Sequence, residues 1–361
     1  MAERVTGRRA GAGTPRRASS DAPSATVNQA VYNAKMLALA NLQPRHDCGP
    51  KGVLAHARGG RKLENRAPVK ERRVALRQPP VRRLKPCPAP LWPVHTVYPE
   101  AGALLPFYRI VAYYGNFYST HMGILGQYPP AEVLARLKKQ AAAWAAADPT
   151  TPVLPAIDYI AASAQQDAGR NGKYILRMPK DQIEKALGLA NQIHGLLFLD
   201  VQPGWSTVQA EIPRLAPFLK LPNVELALDP EFALIPGKKP GRYRGTMSAA
   251  EINQAARMLA RLVRKYQLPP KILVVHRFTQ RMVTDYRGIR PLPEVEIVMD
   301  MDGFGSPALK TAAYRAFIAR QPVQFTGFKI FYRNDLKRGG RIMSPAAVLR
   351  LSPRPIFILY Q

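Results

Sequence analysis

Cysteine is nearly missing, with two in 361 residues. That excludes a disulfide-dense scaffold and a cysteine-based zinc cluster. Neither Cys48 nor Cys87 has a CxxC partner or a histidine cluster beside it, so both read as incidental thiols. No apolar run reaches the roughly 18 residues that a membrane-spanning helix needs. The chain has no GxGxxG turn, P-loop, HExxH or GxSxG, which argues against dinucleotide binding, nucleotide hydrolysis, zinc proteolysis and α/β-hydrolase chemistry. Acids are scarce, with 24 Asp+Glu against 53 Lys+Arg and a net charge of +29. Apolar residues still make up 47%, enough for a sizeable core, and the 35 prolines are about twice the ordinary share.

The basic excess is uneven. Residues 1–100 hold 19 Lys+Arg and 6 Asp+Glu and show no sustained period of 2 or 3.6. They are predicted to be a disordered, Arg/Pro-rich tail, ending in a Pro-rich linker from Pro86 to Pro99. Only Val27 to Leu42 could make a short helix, which would be marginal in isolation. Arg-Arg pairs at 8/9, 16/17, 72/73 and 82/83 suit nucleic acid or another anionic polymer, but no interleaved aromatics offer base stacking. The bland alternative is a solvated upstream extension with no function. No apolar h-region follows the Arg-rich start, so no secretory signal is read there.

From residue 108 the texture changes to short apolar runs alternating with helix-period segments. The runs are 108–114, 153–158, 195–201, 224–229, 271–276, 295–300, 326–332 and 355–360. Helices are predicted over 130–147, 179–194, 206–219 (broken by Pro213), 248–266, 306–320 and 344–351, with a short one at 279–285. Eight strand–helix units in residues 108–361 predict an α/β fold, a closed (β/α)₈ (TIM) barrel, with an open doubly wound sheet as the alternative.

In such a barrel the chemistry sits where strands end. Four of the eight runs finish on an aspartate or one residue past it: Asp158, Asp200, Asp229 and Asp300, with Asp302 just beyond. Tyr114, Tyr159, Trp205, His276, Lys329 and Tyr332 stand at the same ends. One such Asp is ordinarily a cap, and a lone His is ordinarily a packed residue. Several acids converging with aromatics suit a sugar, since carboxylates bind hydroxyls and rings stack on pyranose faces. A cluster of oxygen ligands for Mg²⁺ or Ca²⁺ is the competing explanation. In Asp229-Pro230-Glu231 the two acids would share a strand face about 6–7 Å apart. Mutual repulsion would then raise one pKa and keep an acid protonated for general acid catalysis.

An Asp-x-Glu closing the fourth strand resembles the barrel-type glycoside hydrolases, in particular the family 18 chitinases and family 25 lysozymes. The resemblance implies Glu231 as the acid and Asp229 as the assisting carboxylate. It also implies substrate contacts from the other strand-end residues, an N-acetylated glycan of cell-wall or chitin type as substrate, and an extracellular or cell-envelope location. It calls for no cofactor and no metal. The chitinase pattern has further acids where Val224 and Ala227 stand here, and many retaining glycosidases have a Glu closing the seventh strand, where Lys329 and Tyr332 stand. A barrel that binds a glycan without catalysis, and an anionic-polymer binder acting through the tail, are the alternatives.

Overall fold

The computed structural model describes residues 26–42 and 89–361. Eight parallel strands form the barrel: β1 Arg109–Gly115, β2 Val153–Ala164, β3 Leu196–Val201, β4 Val224–Leu228, β5 Lys271–Arg277, β6 Val295–Met301, β7 Phe325–Ile330 and β8 Phe357–Tyr360. They pair in chain order, and β1 pairs with both β2 and β8, which closes the sheet and removes the open-sheet alternative. A short antiparallel strand, Ile175–Arg177, adds to the end of β2.

Alternation along each strand sets the two layers of core. Ile110, Ala112, Ala156, Phe198, Ala227, Val274, Val298 and Leu359 fill the barrel interior. Their neighbours in sequence, such as Val111, Ile157, Leu197, Leu226, Val275, Ile297 and Ile358, pack against the surrounding helices. The helices span Pro130–Ala147, Lys180–Gln192, Val208–Leu219, Ala249–Tyr266, Pro307–Tyr314 and Pro345–Val348. The Ser248/Glu251 pair forms the capping box its spacing predicts. Helix Val208–Leu219 is continuous, a correction to the break expected at Pro213. Pro213 and Pro217 both lie on its exposed side, where the carbonyls they free can meet water. The segment 279–285 is a 3₁₀ turn, Gln280–Met282, followed by a two-residue strand rather than a helix.

Two stretches of the presumed tail are structured parts of the barrel. Helix α1, Gln29–Ala40, is capped by Asn28, whose side chain accepts the Val31 N–H. It places Tyr32 and Met36 against Leu105 and the barrel interior, closing the end from which the strands start. Tertiary packing supplies what a helix of this length lacks alone. Residues 89–100 also dock: Trp92 Nε1 donates to the Ala319 carbonyl at 2.7 Å, and Thr26 and Glu100 form an antiparallel bridge. The Arg-Arg pairs, both cysteines and the anionic-polymer expectation lie outside the described residues. Among the described residues no helix is long and apolar enough to cross a membrane.

Candidate functional site

The inward-facing positions change character toward the strands' C-terminal ends. Above the apolar layer they become Asp158 on β2, Asp200 on β3, His276 on β5, Asp300 on β6 and Lys329 on β7, all buried. Asp229 follows β4 and Asp302 follows β6. At β7 the layer below has Gly327, where a Cβ would come within 2.5 Å of Asp300 Oδ1. Glycine there leaves the room that the Asp300 carboxyl occupies.

His276 is the hub. Its Nδ1 lies 3.0 Å from Asp300 Oδ2 in a hydrogen bond. Its Nε2 lies 3.2 Å from Asp200 Oδ2, close enough for strong attraction but off the line of a hydrogen bond. Burial alone would lower the imidazole pKa, but Asp200 and Asp300 outweigh it and hold the pKa well above the ordinary value. Burial pushes the carboxyl of Asp158 well above the usual range, and the nearby charge of Asp200 adds to this. Burial likewise raises Asp300. Both oxygens of Asp158 and both of Asp200 have no hydrogen-bond partner.

Above this layer opens a cavity of about 730 Å³. Its polar floor includes Gln202, Asp229, Glu231, Asp302 and Lys329, with Tyr114 beside them. Lys329 Nζ sits 3.1 Å from Asp302 Oδ1 and 3.8 Å from the centre of the Tyr114 ring, a cation–π geometry. Burial would lower the Lys329 pKa, but Asp302, Asp229, Asp200 and Asp300 together raise it, so the ammonium stays charged. The Tyr114 hydroxyl accepts from Gln202 Nε2 at 3.2 Å.

Asp229 and Glu231 share this cavity but not in the geometry expected. Strand β4 ends at Leu228, and Pro230–Phe232 is a 3₁₀ turn. Asp229 Oδ1 accepts the Glu231 N–H at 3.2 Å, so the two acids belong to a cap and its turn rather than to one strand face. Proline favours the first position of such a turn. Burial raises the pKa of Glu231, and Asp302 adds to the shift; Arg244, 3.9 Å away, opposes it. Burial pushes Asp229 well above the ordinary range, with Asp200 the foremost charge acting on it.

Three predicted substrate contacts stand elsewhere. Tyr159 alternates outward from Asp158 and stacks on Phe117 at 4.8 Å. Tyr332 follows the end of β7, stacks on Tyr360 at 5.2 Å and donates to Gln140 Oε1, among side chains of the outer layer. Trp205 packs on Tyr174 at 4.3 Å and donates to the Lys238 carbonyl. Asp158, Asp200, His276 and Asp300 lie inward as expected but do not line the cavity, whereas Tyr114, Asp302 and Lys329 do.

Sequence reasoning missed Gln202 and the apolar wall of Phe278, Phe304, Phe317 and Phe331. Gln202 was detectable, two residues beyond Asp200 on the same inward alternation. Phe317 was not, because it depends on a π-helical turn, Arg315–Ala319, that follows helix Pro307–Tyr314. The buried Arg277 guanidinium donates to the Phe317 carbonyl at 3.1 Å and ties that turn to the end of β5.

No protein-family model matches this chain, and a search of curated proteins gives no match. Among solved structures it is similar to two mannanases of Bacillus subtilis. With BCman the identity is 12%, covering 71% of this chain and 80% of that one at a TM-score of 0.37. With man26 the identity is 12%, covering 70% and 79% at a TM-score of 0.35. Likeness at that level carries no argument about the site.

Proposed function

We propose that this barrel hydrolyses a glycosidic bond, with Glu231 as the general acid. The observation that carries the reading is the Glu231 carboxyl: it lines an open cavity at the barrel mouth, and burial and Asp302 raise its pKa. A carboxyl whose pKa is raised holds its proton to higher pH and can give it to a leaving glycosidic oxygen. Asp302, paired with the Lys329 ammonium, presents negative charge to the same cavity and would stabilise positive charge developing at the anomeric carbon. Asp229 is the assisting carboxylate: its bond to the Glu231 N–H fixes the turn that aims the acid. Tyr114 and the phenylalanine wall offer ring faces to a sugar. The substrate class put forward is an N-acetylated glycan of wall or chitin type, a choice resting on the Asp-x-Glu resemblance.

The test compares wild type with Glu231→Gln on chitin oligomers, peptidoglycan and a neutral β-linked polysaccharide, with binding measured in parallel. The amide keeps the shape and removes the transferable proton. Turnover is expected to fall by roughly 10²-fold or more while binding survives. Equal turnover in both proteins ends the role of Glu231. Binding without turnover in wild type favours the non-catalytic barrel. Turnover confined to the neutral polymer rejects the N-acetylated class.

A further inference from the structure

The cluster beneath the cavity floor has a chemistry that acid catalysis does not use. Asp158, Asp200 and His276 each point one ligand-type atom to a common place, and those three atoms lie within 4.8 Å of one another. A first-row dication bound at about 2.0–2.2 Å sets its tetrahedral ligands roughly 3.3–3.6 Å apart, so an inward adjustment of about 1 Å brings the three to a shared ion. An acidic cluster alone would not identify a site, but these side chains are fully buried and five of their six polar atoms have no hydrogen-bond partner. The orphans are both oxygens of Asp158, both of Asp200, and Nε2 of His276. A buried unpaired carboxylate is costly and is ordinarily neutralised, paired or bound to a metal. The Lys329 ammonium is turned to Asp302 and to the Tyr114 ring, Asp200 faces the His276 imidazole at 3.2 Å, and Asp158 makes no ion pair among the described residues.

His276 is held as a metal-binding imidazole is held. Its Nδ1 engages Asp300 at 3.0 Å, which orients the ring and leaves Nε2 turned to Asp200, 3.2 Å away, beside the unpartnered Asp158 carboxyl. A carboxylate behind the imidazole of a ligating histidine is the usual supporting contact. We infer that Asp158, Asp200 and His276 bind a divalent transition-metal cation in a buried site under the floor of the cavity. Mixed imidazole and carboxylate donors suit Zn²⁺, Co²⁺ or Mn²⁺ better than Ca²⁺, which takes six or more oxygens. None of the three ligands lines the cavity, so the ion would neutralise and stiffen the floor rather than meet substrate. The inference is independent of the glycosidase reading.

The test uses the full chain, stripped with EDTA, dialysed and titrated with Co²⁺. The expected result is one Co²⁺ per chain, with visible d–d absorption, and a melting temperature that rises with Zn²⁺ concentration but not with matched Ca²⁺. Asp158→Asn and His276→Gln should lose the absorption. Asp300→Asn should weaken binding about 10–100-fold, and Glu231→Gln should retain it. The wild-type titration decides even if a variant fails to fold: no stoichiometric Co²⁺ band and no Zn²⁺-dependent shift would overturn the site. An unchanged band in a folded Asp158→Asn protein would overturn it equally, because the ion would then lie elsewhere. Retained binding in Glu231→Gln without turnover separates this claim from the catalytic one.

Discussion

The barrel buries ionisable groups at both ends, and the two ends treat them differently. At the lower end Glu296 accepts the Leu104 and Leu105 N–H groups at 3.0 and 2.7 Å, beneath helix α1. Glu225 accepts the Ile272 N–H at 2.6 Å, and the nearby Lys271 ammonium donates to the Leu221 and Val224 carbonyls. At the upper end four oxygens of Asp158 and Asp200 have no such partner. Inward alternation places Glu225 and Glu296 at the lower end just as it places Asp158 and Asp200 at the upper, so strand geometry does not explain the contrast. The lower groups complete the closure of the barrel. The upper ones are held at a cost in stability, which is the pattern expected where a site is kept for binding or chemistry.

The largest expected effect is at the lower end. Lys271→Met removes a buried ammonium that bonds two carbonyls and whose charge acts on buried Glu225, and should destabilise the protein by roughly 3–5 kcal/mol near pH 8, read by urea unfolding. The loss should shrink at pH 5, because Glu225, pushed up to about 7, then carries a proton and needs no cation. Met36→Ala, on the inner side of helix α1, should cost about 2–5 kcal/mol because Met36 is buried in the core. A change below 0.5 kcal/mol would return the helix to the tail. Next comes pH. Burial pushes Glu296 up from 4.5 to about 8. Between those values the native protein keeps a proton that the unfolded chain has released. Stability should therefore be fullest below about 4.5 and decline through 8, by at most about 1.4 kcal/mol per pH unit from this group. Glu296→Gln should flatten that slope. The smallest effect is expected for Glu231→Gln, whose side chain is 30% exposed: its unfolding midpoint should hardly move while its turnover falls.

The strand pattern was legible because each strand is buried on both faces and reads as a short apolar run between turn residues. The runs at 153, 224, 271 and 295 begin at the residue where the strand begins. The acids at the upper end were legible for the same reason, since a charge ending an apolar run is conspicuous. Which way each flanking aromatic turns was harder to read. Tyr114 and Tyr159 both stand at the ends of predicted runs, yet one aligns with the inward residues of β1 and the other with the outward residues of β2. The Asp229–Glu231 geometry was misread because a strand spacing was assumed for residues that form a capped 3₁₀ turn. Helix α1 was undervalued because its stability comes from contacts with residues about 70 positions and more further along the chain.

The contrast between the ends is tested most directly by urea unfolding of Asp158→Asn beside Lys271→Met, in EDTA at pH 8. Replacing an unpartnered buried carboxyl next to Asp200 with the amide should leave the protein as stable as wild type or more so, while removing the hydrogen-bonded Lys271 should cost several kcal/mol. A loss for Asp158→Asn as large as that for Lys271→Met would contradict the account, because the upper cluster would then be a structural network like the lower one.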